Sequence, residues 1–162
     1  MDGENVDKSK VYFMCGPAGS GKSTLAQKFE SQGMTVLSYD AESFKQGLIK
    51  HPLPDEVLQD IKASLDKKLI SLISQKKDIV LDYSFWSKDM RTQYISLLKK
   101  FDIDPTIYYV KTPKRICMER IRNRKGSHAN DILLTTLTAS QYYDQFQPPT
   151  AKEGNIIVVK GY

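Results

Sequence analysis

One short stretch constrains this chain more than any other: Gly16-Pro17-Ala18-Gly19-Ser20-Gly21-Lys22-Ser23, followed by Thr24. It is the full G-x-x-x-x-G-K-S pattern, and it sits between an apolar run, 11–15, and an amphipathic stretch, 22–32. Glycines at 16, 19 and 21 let a backbone curl until its amides face inward, and the positive end of a following helix points at the same spot. A strand, a glycine-rich turn and a helix in that order make a cradle for a phosphate chain. The expected ligand is ATP, held by residues 16–24, with Lys22 bridging the β- and γ-phosphates and Ser23 ligating magnesium. A chance glycine-rich turn would not be flanked in this way.

The rest of the chain fits one architecture around that loop. Runs of β-branched and aromatic residues at 11–15, 35–39, 78–82, 106–111 and 155–160 read as buried strands. Helical stretches separate them at 22–32, 54–77, 87–101, 112–124 and 131–146. The second carries Val57, Leu58, Ile61, Leu65, Leu69, Leu72 and Ile73 on one stripe, and the third has Ser87 at its capping position. Strands alternating with helices imply a parallel sheet covered on both faces, because each parallel crossover needs a connecting element. The expectation is an α/β three-layer sandwich of the P-loop NTPase type, in one domain spanning 1–162, with residues 1–10 outside the ordered core. The loop at 125–130 is where mobility is expected.

Composition narrows the class. A chain of 162 residues with 40% hydrophobic and 27% charged residues has the balance of one globular domain. Its net charge of +5 suits an anionic ligand, but the basic residues are scattered, so nucleic acid is not singled out. Cys15 and Cys117 lack the spacing of a zinc site or a disulfide framework, and no apolar run is long enough for a bilayer. A cytoplasmic protein, with no membrane partner and a monomer as the favoured state, is expected.

Several side chains are candidates to complete the site. Asp40 ends the second strand, where ligand crevices of open parallel sheets lie; it can accept a proton, hold magnesium through water, or cap the helix that follows. Asp82 closes the run Ile79-Val80-Leu81, a pattern that delivers a carboxylate to the magnesium shell and the substrate side; its alternative is a turn residue after the strand. Tyr83, Phe85 and Trp86 next to it form either a wall for a planar substrate or plain core. Arg120 and Arg124, spaced i, i+4, share a helix face and can approach one anion together, as part of a lid at about 115–135. Their alternative is a solvated basic face, and His128 reads as a surface residue.

GPAGSGKST at 16–24, LSYD at 37–40, LDYSFWSKDMR at 81–91, KRICMERIRNR at 114–124 and YYDQFQPP at 142–149 together resemble the small P-loop kinases grouped with polynucleotide 5′-hydroxyl kinase and the zeta-toxin sugar-nucleotide kinases. The resemblance spans most of the chain, and its first motif is the specific one. It implies a sheet order of 2-3-1-4-5, ATP with magnesium, Asp40 as the base for an acceptor hydroxyl, and catalytic lid arginines at Arg120 and Arg124. It also implies that Arg91 sits on the substrate side. Acceptors within that group range from nucleic-acid ends to sugar nucleotides and antibiotics, so the resemblance leaves the acceptor open. A P-loop ATPase or nucleotide-dependent switch without an acceptor is the competing expectation. The guanine-reading Asn-Lys-x-Asp and the transporter Ser-Gly-Gly signatures are not found.

Overall fold

The computed structural model describes residues 8–50, 52–129 and 132–162. Five strands form one parallel sheet: β1 (Val11–Cys15), β2 (Thr35–Ser38), β3 (Ile79–Ser84), β4 (Thr106–Lys111) and β5 (Asn155–Lys160), in spatial order β2-β3-β1-β4-β5. That is the order the resemblance implies. Among the described residues six α-helices accompany them: α1 (Lys22–Ser31), α2 (Tyr39–Lys45), α3 (Asp55–Ser74), α4 (Lys88–Lys99), α5 (Lys114–Arg122) and α6 (Thr136–Gln145). A short 3-10 turn, Ala151–Glu153, precedes β5.

Alternation along β1 sorts the core onto two faces. Phe13 and Cys15 face the larger cluster, where Ile61, Leu65, Leu69 and Ile73 of α3 meet Tyr94 and Leu98 of α4. Tyr12 and Met14 face the thinner layer under α1, with Ala26, Leu25 and Phe29. Each fully buried aliphatic side chain contributes about 1.5–3 kcal/mol, so the four on α3 outweigh any local preference for helix there.

Several boundaries shift for local reasons. Strand β2 stops at Ser38 because its hydroxyl accepts a hydrogen bond from Ala41 N–H and caps α2, which Tyr39 therefore begins. Strand β3 runs to Ser84, two residues past Asp82. The last helix starts at Thr136, where the Thr135 hydroxyl accepts from Thr138 N–H, rather than near 131; Ile132 is instead buried in the preceding segment. Ser87 caps α4 as its sequence position suggests, accepting from Met90 N–H.

Residues 1–7, 51, 130 and 131 lie outside the described residues, and most of the expectation for 1–10 falls there. Residues 8–10 are anchored: Ser9 is buried, and Lys10 exchanges hydrogen bonds with Asp78 and Ile79. Residue 130 of the expected mobile loop is also outside the description. Leu133 pairs with Lys50, and its N–H donates to the Ile49 carbonyl at 2.6 Å, which joins the segment after α5 to the one after α2. Among the described residues, no helix is long and apolar enough to cross a membrane.

Candidate active site

The phosphate loop occupies 16–21, between the end of β1 and the start of α1, and neighbouring strands pin it. Gly16 N–H donates to the Ser84 carbonyl at 2.9 Å, and Ser84 Oγ donates back to the Gly16 carbonyl at 2.8 Å. Thr112 Oγ1 donates to the Ser20 carbonyl at 2.7 Å from the end of β4. Gly19 has φ 81°, and a Cβ there would stand 2.6 Å from the Cys117 carbonyl oxygen. The tight pass over α5 therefore requires a glycine. Gly16 and Ser20 turn inward and pack against each other, whereas Pro17 and Ala18 face one cavity and Gly19 and Gly21 another.

Three side chains converge beside the loop. Ser23 Oγ donates to Asp82 Oδ2 at 2.8 Å, and Lys22 Nζ lies 3.4 Å from Asp82 Oδ1. Asp82 is buried, and Oδ1 has no hydrogen bond among the described residues, so the ammonium is its compensation. A buried carboxylate and a hydroxyl side by side, with no third acidic or imidazole ligand grouped among the described residues, suit a hard cation that takes its other oxygens from water and phosphate.

Asp40 sits in the first turn of α2 and lines a cavity of about 510 Å³ with Pro17, Lys22, Asp82, Arg124 and Tyr142. Burial, then the nearby Asp40 charge, raises the Tyr142 hydroxyl above its ordinary pKa. Capping of α2 is done by Ser38, so the helix does not need the Asp40 side chain for that purpose. The aromatic cluster divides: Tyr83 and Phe85 are core, while Trp86 is 51% exposed on the cavity rim.

A second cavity, of about 520 Å³, is lined by Gly19, Gly21, Thr24, Arg120, Arg124, Val159, Lys160 and Gly161. Arg120 Nη1 donates to the Gly19 carbonyl at 3.0 Å and Nη2 to the Gly161 carbonyl at 2.6 Å, tying α5 to the loop and to the residue after β5. Arg124 Nη1 donates to the Ile132 carbonyl at 3.0 Å. Lys22, Ser23 and Arg124 line both cavities, so the two spaces meet at those three residues. Arg115, Arg122 and His128 are exposed.

Arg91 departs from the substrate-side expectation. It is fully buried beneath β1, with Nε donating to Glu153 Oε1 at 2.6 Å and Nη1 to the carbonyls of Phe85 and Gln147 at 2.7 and 2.8 Å. A guanidinium whose donors are spent on internal acceptors is a strut. Sequence reasoning missed this because Glu153 is remote in the chain and carries no motif. It also missed the contact of Arg120 with Gly161, for the same reason. Cys15 and Cys117 are buried free thiols, and burial pushes their pKa values up to about 12 and about 11.

Residues 11–149 match the family described as AAA domain. The structure is similar to a candidate kinase from Chloroflexus aurantiacus J-10-fl at 18% identity and TM-score 0.76, covering 94% of this chain and 88% of that one. It is similar to a chain of the Pnkp1/Rnl/Hen1 RNA repair complex at 14% identity and TM-score 0.70, covering 85% of this chain and 44% of that one. It is also similar to the Mycobacterium tuberculosis APS kinase CysC, in complex with AMPPNP and APS, at 18% identity and TM-score 0.61, covering 93% and 88%. At such identities the likeness establishes the fold. No curated protein matches the chain.

Proposed function

The chain belongs to the AAA domain family, a P-loop kinase family, and from that premise we propose that it transfers the γ-phosphoryl group of ATP to a hydroxyl on a second substrate. The observation that carries this reading is the meeting of the two cavities at Lys22, Ser23 and Arg124. A nucleotide in the glycine-lined space and a hydroxyl compound in the other would face each other there, where opposite charge is held ready.

The residues divide the work. Loop amides and Lys22 bind the phosphate chain, while Arg120, bonded to the loop carbonyl of Gly19, closes the nucleotide cavity beside it. Ser23 and Asp82 would hold magnesium, which supplies positive charge to the phosphate oxygens when bound. Asp40, lining the acceptor cavity, takes the proton from the hydroxyl. As that oxygen forms its bond to the γ-phosphorus, the bond from phosphorus to the bridging β-γ oxygen breaks and ADP leaves with that oxygen. Arg124 at the junction stabilises charge on the moving group.

The test is a screen of labelled ATP against pooled nucleosides, sugar nucleotides, aminoglycosides and 5′-hydroxyl oligonucleotides, with Lys22→Ala as the control. Label on a compound, lost in the control, is the expected result. Label appearing only as free phosphate would make the protein an ATPase instead.

A further inference from the structure

We propose that Trp86 is a stacking platform for the phosphoryl acceptor, and that this acceptor is a hydroxyl compound with a flat, uncharged body. The proposal rests on the kinase reading above and narrows its substrate class.

Backbone geometry is the first support. Ser84 and Phe85 are consecutive non-glycine residues with φ of 67° and 49°, in the left-handed region that side chains avoid. Such strain persists only where surroundings over-determine it, and it gathers at functional sites. Here the surroundings are specific. Gly16 grips Ser84 through two hydrogen bonds, and the buried Arg91 donates to the Phe85 carbonyl. Gln147 N–H then fixes the Trp86 carbonyl at 2.8 Å. The turn sends Phe85 into the core, stacked on Phe13 with ring centroids 4.1 Å apart, and leaves the next ring on the cavity rim. A large ring left half in water on the rim of a cavity, on a backbone held by this many bonds, is placed to be covered by a ligand that enters the cavity.

The chemistry of the walls is the second support. Tyr39, Leu53, Leu58, Met90 and Tyr142 line the same cavity as Trp86 and are flat or apolar apart from the two phenol hydroxyls. Apart from Lys62, the charged side chains lining the cavity are Lys22, Asp40, Asp82 and Arg124, the groups assigned to transfer. Lys62 is the one other cation lining the cavity among the described residues, and it is paired with Asp66 at 2.7 Å. A polyanionic body would need cations along this wall. A hexose would need polar partners all round its ring, and beyond the charged groups the lining offers the amides of Gln59 and Gln145 and the tyrosine hydroxyls among a larger apolar area. A planar uncharged body, with its hydroxyl directed to Asp40, satisfies both halves. A nucleoside and an aryl alcohol share that chemistry.

Trp86 is the single tryptophan of the chain, so its emission reports its own surroundings. The full chain, with magnesium and a non-hydrolysable ATP analogue, is titrated with nucleosides, benzylic alcohols, hexoses and 5′-hydroxyl oligonucleotides. Saturable quenching by nucleosides or benzylic alcohols, and none by hexoses, is expected; which of the two quenches identifies the source of the flat body. With the compound so found, Trp86→Ala should raise acceptor KM about tenfold or more, as loss of a stacking ring does, with ATP KM unchanged and Trp86→Phe close to wild type. The proposal is overturned by absence of quenching with every flat alcohol, by quenching with hexoses or oligonucleotides alone, or by equal acceptor KM in Trp86→Ala and wild type. Transfer of label to a hexose without stacking would overturn this proposal alone. Label found only as free phosphate would overturn the acceptor role together with the kinase reading.

Discussion

Arg91 on α4 and Glu153 ahead of β5 form a buried ion pair at 2.6 Å that ties two distant parts of the chain to the turn carrying Trp86. Burial works to raise the Glu153 pKa, but the Arg91 guanidinium and the Thr150 N–H, both donating to it, hold it below the usual carboxylate value. A depressed folded-state pKa means that the stability this group contributes is present above its unfolded pKa. It is lost as pH falls through the folded value.

Glu153→Gln should therefore flatten the acid limb of the stability curve, read as Tm against pH below about 4.5, the ordinary value of the group. At neutral pH the same variant should lose about 3–5 kcal/mol, since it leaves a buried guanidinium without its counter-charge. Arg91→Lys, which keeps the charge but not the fork, should raise acceptor KM while kcat and ATP KM stay near wild type. An unchanged acid limb would separate Glu153 from acid unfolding.

Arg120 and Arg124 share a helix face but should report on different steps. Arg120 contacts the loop carbonyl of Gly19 and lines only the cavity proposed for nucleotide, so Arg120→Ala should weaken ATP binding, measured by calorimetry, more than it lowers kcat. Arg124 lines both cavities, so Arg124→Ala should lower kcat by about 10²–10³ with a smaller change in ATP affinity.

Asp82→Asn should keep the size of the side chain while removing the charge beside Lys22 and Ser23. The expected outcome is a higher magnesium concentration for half-maximal turnover and a fall in kcat of about 10²–10³. Asp40→Asn should remove transfer and leave nucleotide affinity nearly intact, because Asp40 lines the cavity proposed for the acceptor and not the one proposed for nucleotide. Loss of ATP binding in Asp40→Asn would count against its role as base.

Gly19→Ala introduces a Cβ 2.6 Å from the Cys117 carbonyl at φ 81°. Thermal unfolding should show a lower Tm, with a cost above about 1 kcal/mol, and nucleotide affinity should fall with it. A variant as stable as wild type would mean that α5 shifts freely against the loop.

How much of this could be read from the chain depends on whether the determinant is local. The loop, the five strands and the apolar stripe of α3 announce themselves through spacing, because the same residues that set the pattern make the contacts. Ser38 was harder. Its capping bond to Ala41 is local, yet Asp40 is an equally suitable cap two residues on, and only the turn geometry decides between them. The start of α6 moved because burying Ile132 competes with helix formation there. Arg91 was misplaced by the resemblance because an arginine after an aromatic cluster looks the same whether its partner is a ligand or a buried glutamate sixty-two residues away.

The strand order has a kinetic consequence. β1, the earliest strand in the chain, lies between β3 and β4, so the residues leading into the phosphate loop wait for neighbours encoded far downstream. Non-local pairing of this kind slows refolding relative to helical bundles of similar size, because loop closure must precede the contacts that reward it. Collapsed species that have formed α3 and α4 first would be helical yet unable to hold a phosphate chain. In a stopped-flow experiment, recovery of nucleotide binding should therefore lag behind the return of the far-ultraviolet signal.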